Sequence, residues 1–309
     1  MKKIYTFLSF LICLMILFTA CNNTDLTPAY LEITEEQLVD LIDVTHYNQT
    51  HEANYDVHEL AAIRSSLFRN VWVTVNNDNR GIYKLPCKIP ILKEDSCTVS
   101  IMPGIWLNGS SSSVPAYPYI SSYKKNVFLM KGETTVFDAS KISFSYVNNV
   151  TFPVLETFEA GTIFGKLESD TGATFQITTV DGDKVGLIAL DYENTFFDVV
   201  SSGLRLPGYG QYVFLEIDYK CDADFSVGLL LKNANGYQSH DALVNVAATD
   251  TWKKIYINLT QSISRNYVGS DGYATDVQIY LSGFTNYDDN GNPAPTNFYM
   301  DNIKVLYVE

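Results

Sequence analysis

Hydrophobic and polar positions alternate through most of this chain, and the clearest alternation lies at its end. In residues 297–309, Phe298, Met300, Ile303, Val305 and Tyr307 are the inward positions of a strand, with one slip near Asp301 and Asn302 that reads as a β-bulge. A terminal strand this apolar must pair and pack inside a sheet that the preceding segments build. The same period of two recurs in residues 68–76 and 82–85, which flank the turn-forming Asn77-Asp78-Asn79-Arg80-Gly81, and in 97–102, 126–130 and 134–146. It returns in 199–206, 212–219 and 225–231, with Pro207-Gly208-Tyr209-Gly210 as a turn. Residues 30–44 predict a first strand, 46–66 a polar stretch of weak helical character, and Asn108-Gly109-Ser110-Ser111-Ser112-Ser113 an exposed loop. A polar pair and Pro153 mark a boundary within 148–153. The pattern predicts an all-β protein of two β-sandwich domains, residues 30–148 and 154–309.

Composition supports strands over helices. With 21 Tyr and 17 Phe against 5 Met in 309 residues, the chain is rich in rings that suit a pleated surface. A tyrosine surplus also suits carbohydrate or interface contacts. Residues 1–20 have the form of an export signal, Lys2 and Lys3 preceding an apolar run over 4–18 that is too short for a comfortable membrane span. Loss of that leader lowers 21 basic residues to 19 against 35 acidic ones, a net charge of −16. Such a charge argues against nucleic acid and anionic membrane patches as partners.

The leader ends in Phe18-Thr19-Ala20-Cys21, which resembles the bacterial lipobox, although Phe18 stands where that pattern has Leu. The resemblance implies that Cys21 carries the lipid, that 21–29 is a short tether, and that the only membrane contact is the anchor. Several acyl chains give stable anchoring where one is marginal. Asn22 after the cysteine favours, by the same resemblance, the outer membrane, with the periplasmic and cell-surface leaflets both open. Beyond Cys13 and Cys21, three cysteines remain. Residues 87–97 read as a hairpin turning at Lys93-Glu94-Asp95, which sets Cys97 opposite Ile91 and about 13 Å from Cys87, too far for a disulfide. Cys87, Cys97 and Cys221 are therefore expected as free, mostly buried thiols.

Two stretches resemble known envelope and sugar-binding folds. The order of strand, Gly turn, Leu85-Pro86, second hairpin and Pro103-Gly104 resembles the PEGA domain over about forty residues and implies an Ig-like sandwich. Phe158-Glu159-Ala160-Gly161, the strand opened by Trp252, and Phe298-Tyr299-Met300-Asp301-Asn302-Ile303 resemble galactose-binding-like jelly-roll carbohydrate-binding modules over the last half of the chain. This resemblance implies a jelly roll as the second domain and a polysaccharide or other glycan as partner. It also implies one structural calcium held by Glu159 and Asp301, because first and last strands lie side by side and a hard cation wants several oxygens. Asp301 serves equally well as a residue that caps or turns a strand.

Other motifs fall short of chemistry. His51-Glu52 and His58-Glu59 lack the one-turn spacing of a zinc-protease helix. Asn286-Tyr287-Asp288-Asp289-Asn290-Gly291 imitates the start of an EF-hand, but Asn297 stands where a bidentate Glu is required, so a hairpin turn is expected. His240 is alone among polar residues, and no nucleophile elbow, phosphate loop or dinucleotide motif is present. The chain therefore reads as non-enzymatic. Tyr237, Tyr267, Tyr273 and Tyr287, in Gly- or Asn-rich loops, are the candidate sugar-stacking rings, whereas Trp252 opens an alternating strand and is expected in the core. The alternative partner is an envelope protein, bound by a structural or adhesive component of the same fold.

Overall fold

The computed structural model describes residues 26–50, 53–167, 172–232, 236, 238–265 and 268–309. Cys21, Tyr237, Tyr267, His51 and Glu52 lie outside the described residues. The chain is all-β with two sandwiches, the second a jelly roll, and helices among the described residues are short.

In the first sandwich, a four-stranded sheet runs in the order Asp78–Lys84, Asn70–Val75, Asp95–Gly104, Tyr123–Leu129. It shares a core with a three-stranded sheet in the order Thr134–Val136, Ala29–Ile33, Cys87–Ile91, through Val71, Val73, Val99 and Ile101 on one side and Leu31, Ile33, Ile89 and Ile91 on the other. The expected 87–97 hairpin does not form. Cys87–Ile91 pairs with Ala29–Ile33, while Asp95–Gly104 lies between Asn70–Val75 and Tyr123–Leu129. Pro90 has no N–H to give a ladder, so Cys87–Ile91 belongs at a sheet edge. Cys87, Cys97 and Cys221 are free thiols, the latter two buried.

In the second sandwich, one sheet runs Gln176–Val180, Asp183–Leu190, Thr296–Val308, Val213–Cys221, Thr249–Asn258, with Val150–Glu156 also paired to the terminal strand. The terminal strand sends Phe298, Met300, Ile303, Val305 and Tyr307 into the core between the sheets. The slip near Asp301 and Asn302 is present: Asn302 has φ 47°, and the register with Val213–Cys221 shifts opposite it. The other sheet runs Phe164–Lys166, Phe196–Ser201, Tyr273–Phe284, Phe225–Lys232, Gln238–Val246. The two layers pack tightly. A Cβ on Gly283 would lie 2.5 Å from the Phe197 ring, so only glycine fits there.

The terminal strand is buried on its second face as well, where half-burial would be expected of a strand that ends a chain. Lys304 and Leu306 are fully buried, and Leu306 joins Phe214 and Tyr256 in the core of the first sandwich. Lys304 Nζ donates to the carbonyls of Ala62 (3.0 Å), Ile63 (3.2 Å) and Ser65 (2.9 Å) at the C-terminal end of the helix Val57–Arg64, and pairs with Glu216 at 3.2 Å. A cation suits this position because the last carbonyls of a helix lack intrahelical partners and carry the negative end of its dipole. Glu216 also accepts from the Tyr117 hydroxyl and lies 3.5 Å from Lys254, whose ammonium is 2.8 Å from Asp218. The 106–109 segment, which leads into the exposed loop expected over 108–113, is docked too: Asn108 N donates to Tyr256 O and Asn108 Oδ1 accepts from Asn258 N.

Lys304→Met preserves much of the side-chain volume but leaves Glu216 short of a counter-charge and three carbonyls without their donor. Denaturant unfolding is expected to show a loss of about 3–5 kcal/mol, the usual cost of removing one partner from a buried ion pair.

Candidate functional site

The two sheets of the jelly roll meet different surroundings. The sheet containing the terminal strand is covered by the first sandwich, whereas the outer face of the sheet containing Tyr273–Phe284 carries exposed and half-buried side chains. Strand alternation sets this second face. Phe197 and Val199, Val277, Ile279 and Leu281, and Val227 and Leu229 point into the core. Phe196 and Asp198, Gln278, Tyr280, Ser282 and Phe284, and Ser226 and Gly228 therefore point outward.

Tyr280 lies near the middle of this face. Its hydroxyl donates to Asp198 Oδ1, and its ring centroid is 4.8 Å from that of His240 on the next strand but one. Gly228 pairs directly with Tyr280 and has no side chain to place beside the ring. A Cβ there would come within 2.7 Å of the Asp241 carbonyl, at a bulge where the neighbouring strand crowds in. Toward one end, Phe196 and Phe284 are cross-strand partners with ring centroids 6.4 Å apart, and Phe284 is 69% exposed. At the other end Lys232 pairs with Asp276 at 3.1 Å, and Gln278 Nε2 is fixed on Ser201 O. The result is an open face of rings set among hydroxyl, amide and imidazole groups.

Of the loop tyrosines, Tyr273 and Tyr287 do not share one platform. Tyr273 begins and Phe284 ends a single strand, so Tyr273 and Tyr287 are separated by roughly 35 Å of extended chain. The Arg205 guanidinium lies 3.5 Å from the Tyr273 ring centroid, held there by Asp271 at 3.0 Å, so that ring face already has an occupant. Tyr287 is 64% exposed on a small hairpin, and Asp288 Oδ1 accepts from the backbone of Asn290 and Asn292, which makes the EF-hand-like stretch a turn. Tyr280 and Phe284 were recoverable from sequence, since outward Gln278, Tyr280, Ser282 and Phe284 alternate with inward Val277, Ile279 and Leu281.

Trp252, expected in the core, is half-buried at a cleft of about 350 Å³ between the sandwiches, beside Asp183, Asp218 and Asp301. It shares the outward side of its strand with Lys254 and Tyr256, which face the first sandwich. Glu159 is engaged elsewhere, 3.4 Å from both His58 and Lys184. The acid that organises the start of the jelly roll is Glu156, which is buried and accepts from Phe158 N and Ile163 N. No contact joins Glu159 to Asp301, and among the described residues no group of three or more His, Cys, Asp or Glu is arranged to hold a metal ion. Glu159 and Asp301 are thus not brought together as the expected calcium pair.

Asp301 has a different chemistry. Its Oδ1 is buried without a hydrogen-bond partner, and burial, reinforced by the nearby Asp218 and Asp183 carboxylates, pushes its carboxyl up to about 7 against the pull of Lys254 and an Asn302 hydrogen bond.

No family model matches this chain, and no curated protein matches it. Among solved structures, it is similar to the family 11 carbohydrate-binding module of a cellulosomal cellulase of Clostridium thermocellum, at 17% identity over 52% of this chain and 95% of that chain, with a TM-score of 0.36. Similar too is the CBM22-1 xylan-binding domain of Paenibacillus barcinonensis, at 14% identity over 53% of this chain and 98% of that one, TM-score 0.36. A third is the CBM22-1-GH10 portion of an N-terminal endo-1,4-beta-D-xylanase of Clostridium thermocellum, complexed with xylohexaose, at 10% identity and a TM-score of 0.33. There the match covers 50% of this chain and spans only 28% of that chain.

Asp301 makes stability pH-dependent. Between the ordinary carboxyl value of 3.8 and about 7, the folded chain keeps a proton that the unfolded chain has released. Its contribution is therefore complete below about pH 4 and is lost as pH rises through about 7. Asp301→Asn is expected to flatten the melting temperature across this window and to raise it above the parent protein's on the alkaline side. Thermal melts at a series of pH values check both.

Proposed function

We propose that this chain is a non-catalytic, lipid-anchored envelope protein that binds a polysaccharide on the open face of its jelly roll. The observation that carries the reading is the set of rings along that face, Tyr280 braced by His240 and Asp198, with Phe196 and Phe284 further along. A sugar presents an apolar C–H face and a rim of hydroxyls. Aromatic faces meet the first, and Ser226, Ser282, Asn245 and His240 supply donors and acceptors for the second. The face is shallow, so a chain can lie across it and binding is wet and weak, on the order of micromolar to millimolar.

Tyr280→Ala and Phe284→Ala are each expected to weaken polysaccharide binding by about tenfold, corresponding to roughly 1–2 kcal/mol per stacking ring. Phe284→Ala should leave the melting temperature close to the parent value, because that ring is 69% exposed. A broad glycan array followed by affinity electrophoresis in xylan and mixed-linked glucan gels measures both. Unchanged retention of both variants would contradict the reading.

The anchor rests on Lys2, Lys3, the apolar run and Ala20-Cys21. Cys21→Ala should abolish metabolic labelling with a fatty-acid analogue and release the protein from the membrane fraction. Labelling that persists in the variant removes the anchor from the account.

A further inference from the structure

A second recess, of about 240 Å³, lies at the seam between the sandwiches, where the docked 106–109 segment meets the strands Gln238–Val246 and Thr249–Asn258. Its lining includes Arg69, Trp106, Asn108, Asn245 and Lys253, and no Asp or Glu. That composition is unusual in a chain with 35 acidic and 21 basic residues. Among the described residues, neither Arg69 nor Lys253 makes an ion pair. Asp222 and Asp250 line a separate depression that Lys253 also borders, without pairing with it.

The recess is also rigid. Trp106 Nε1 donates to Asn70 Oδ1 at 2.8 Å, which fixes the indole, and the Arg69 guanidinium sits 5.2 Å from the indole centroid. Asn108 is tied to the facing strand through its own N–H and through Oδ1, and among the described residues its amide Nδ2 has no acceptor. A guanidinium positioned in advance loses little freedom on binding and can grip a planar carboxylate through two parallel hydrogen bonds.

We propose that this recess binds an acidic sugar, a uronic-acid residue whose carboxylate is held by Arg69 and Lys253 while its hydroxyls meet Asn108 beside Trp106. The site is separate from the open face and does not depend on what that face binds. It gives the protein a preference for negatively charged glycans that its overall negative charge would otherwise disfavour.

Calorimetric titration of the full chain in detergent, with D-glucuronic acid, D-glucose and inorganic sulfate as probes, tests this. Saturable binding of glucuronic acid is expected, weakening as salt is added, with glucose and sulfate each at least about tenfold weaker because one lacks the charge and the other the hydroxyls. Arg69→Gln and Lys253→Gln should each weaken glucuronic acid by about tenfold and reduce its salt dependence, whereas Tyr280→Ala should leave it unchanged. Lys253 is partly exposed, so its variant remains informative if Arg69→Gln disturbs folding. The proposal is overturned by absence of glucuronic acid binding, by equal binding of glucose or sulfate, or by a folded Lys253→Gln variant with parental affinity.

Discussion

Lys304 is the residue on which the arrangement of the molecule depends. It stands on the last strand, is fully buried, and joins three things at once: the carbonyl end of the helix Val57–Arg64, the Glu216 carboxylate, and the Tyr146 hydroxyl at 3.3 Å. An ammonium taken out of water costs several kcal/mol unless its donors are all used and a counter-charge lies close. Both conditions hold only when the two sandwiches are docked in this one way. Burial of the apolar Phe214, Tyr256 and Leu306 supplies area without direction, and the buried ions supply direction.

This docking makes the two faces of the jelly roll unequal. One sheet spends its outer face on the first sandwich, so Lys254, Lys304 and Tyr256 on that face are structural. Tyr117, Tyr146 and Tyr256 are held well above the usual phenol range, chiefly by burial and then by the Glu216 carboxylate. The other sheet has no such cover among the described residues, and its outward positions carry rings and hydrogen-bonding groups on adjacent strands. Strand pairing fixes the spacing of those groups, which is how a regular scaffold holds a shallow site in shape.

Much of the scaffold was legible because strands announce themselves by alternation. The terminal strand, its inward residues and its slip near Asp301 all follow from a period of two, and the Asn286 hairpin follows from its turn chemistry. What the sequence hid was set by partners remote in the chain. Lys304 sits in an alternating strand at what looks like a solvent position, and only the docked sandwich makes it buried. Cys87–Ile91 reads as half of a local hairpin, yet pairs with a strand some sixty residues earlier, because local spacing does not reveal a free edge. Glu156 rather than Glu159 anchors its loop, since the Phe-Glu-x-Gly pattern does not report which carboxylate turns inward. Tyr280 lies in none of the Gly- or Asn-rich loops that mark candidate rings, although its place on an outward strand position is visible in the alternation itself.

The central claim is that the open sheet, and neither the seam near Trp252 nor the loop tyrosines, meets the polysaccharide chain. Side-chain footprinting by radical labelling and mass spectrometry, with and without the polysaccharide that the protein retains best, tests it in one measurement. The account predicts protection at Phe196, Tyr280 and Phe284, with Tyr287 and Trp252 unchanged. Protection at Trp252 or Tyr287 while the three open-face rings stay fully labelled would contradict it.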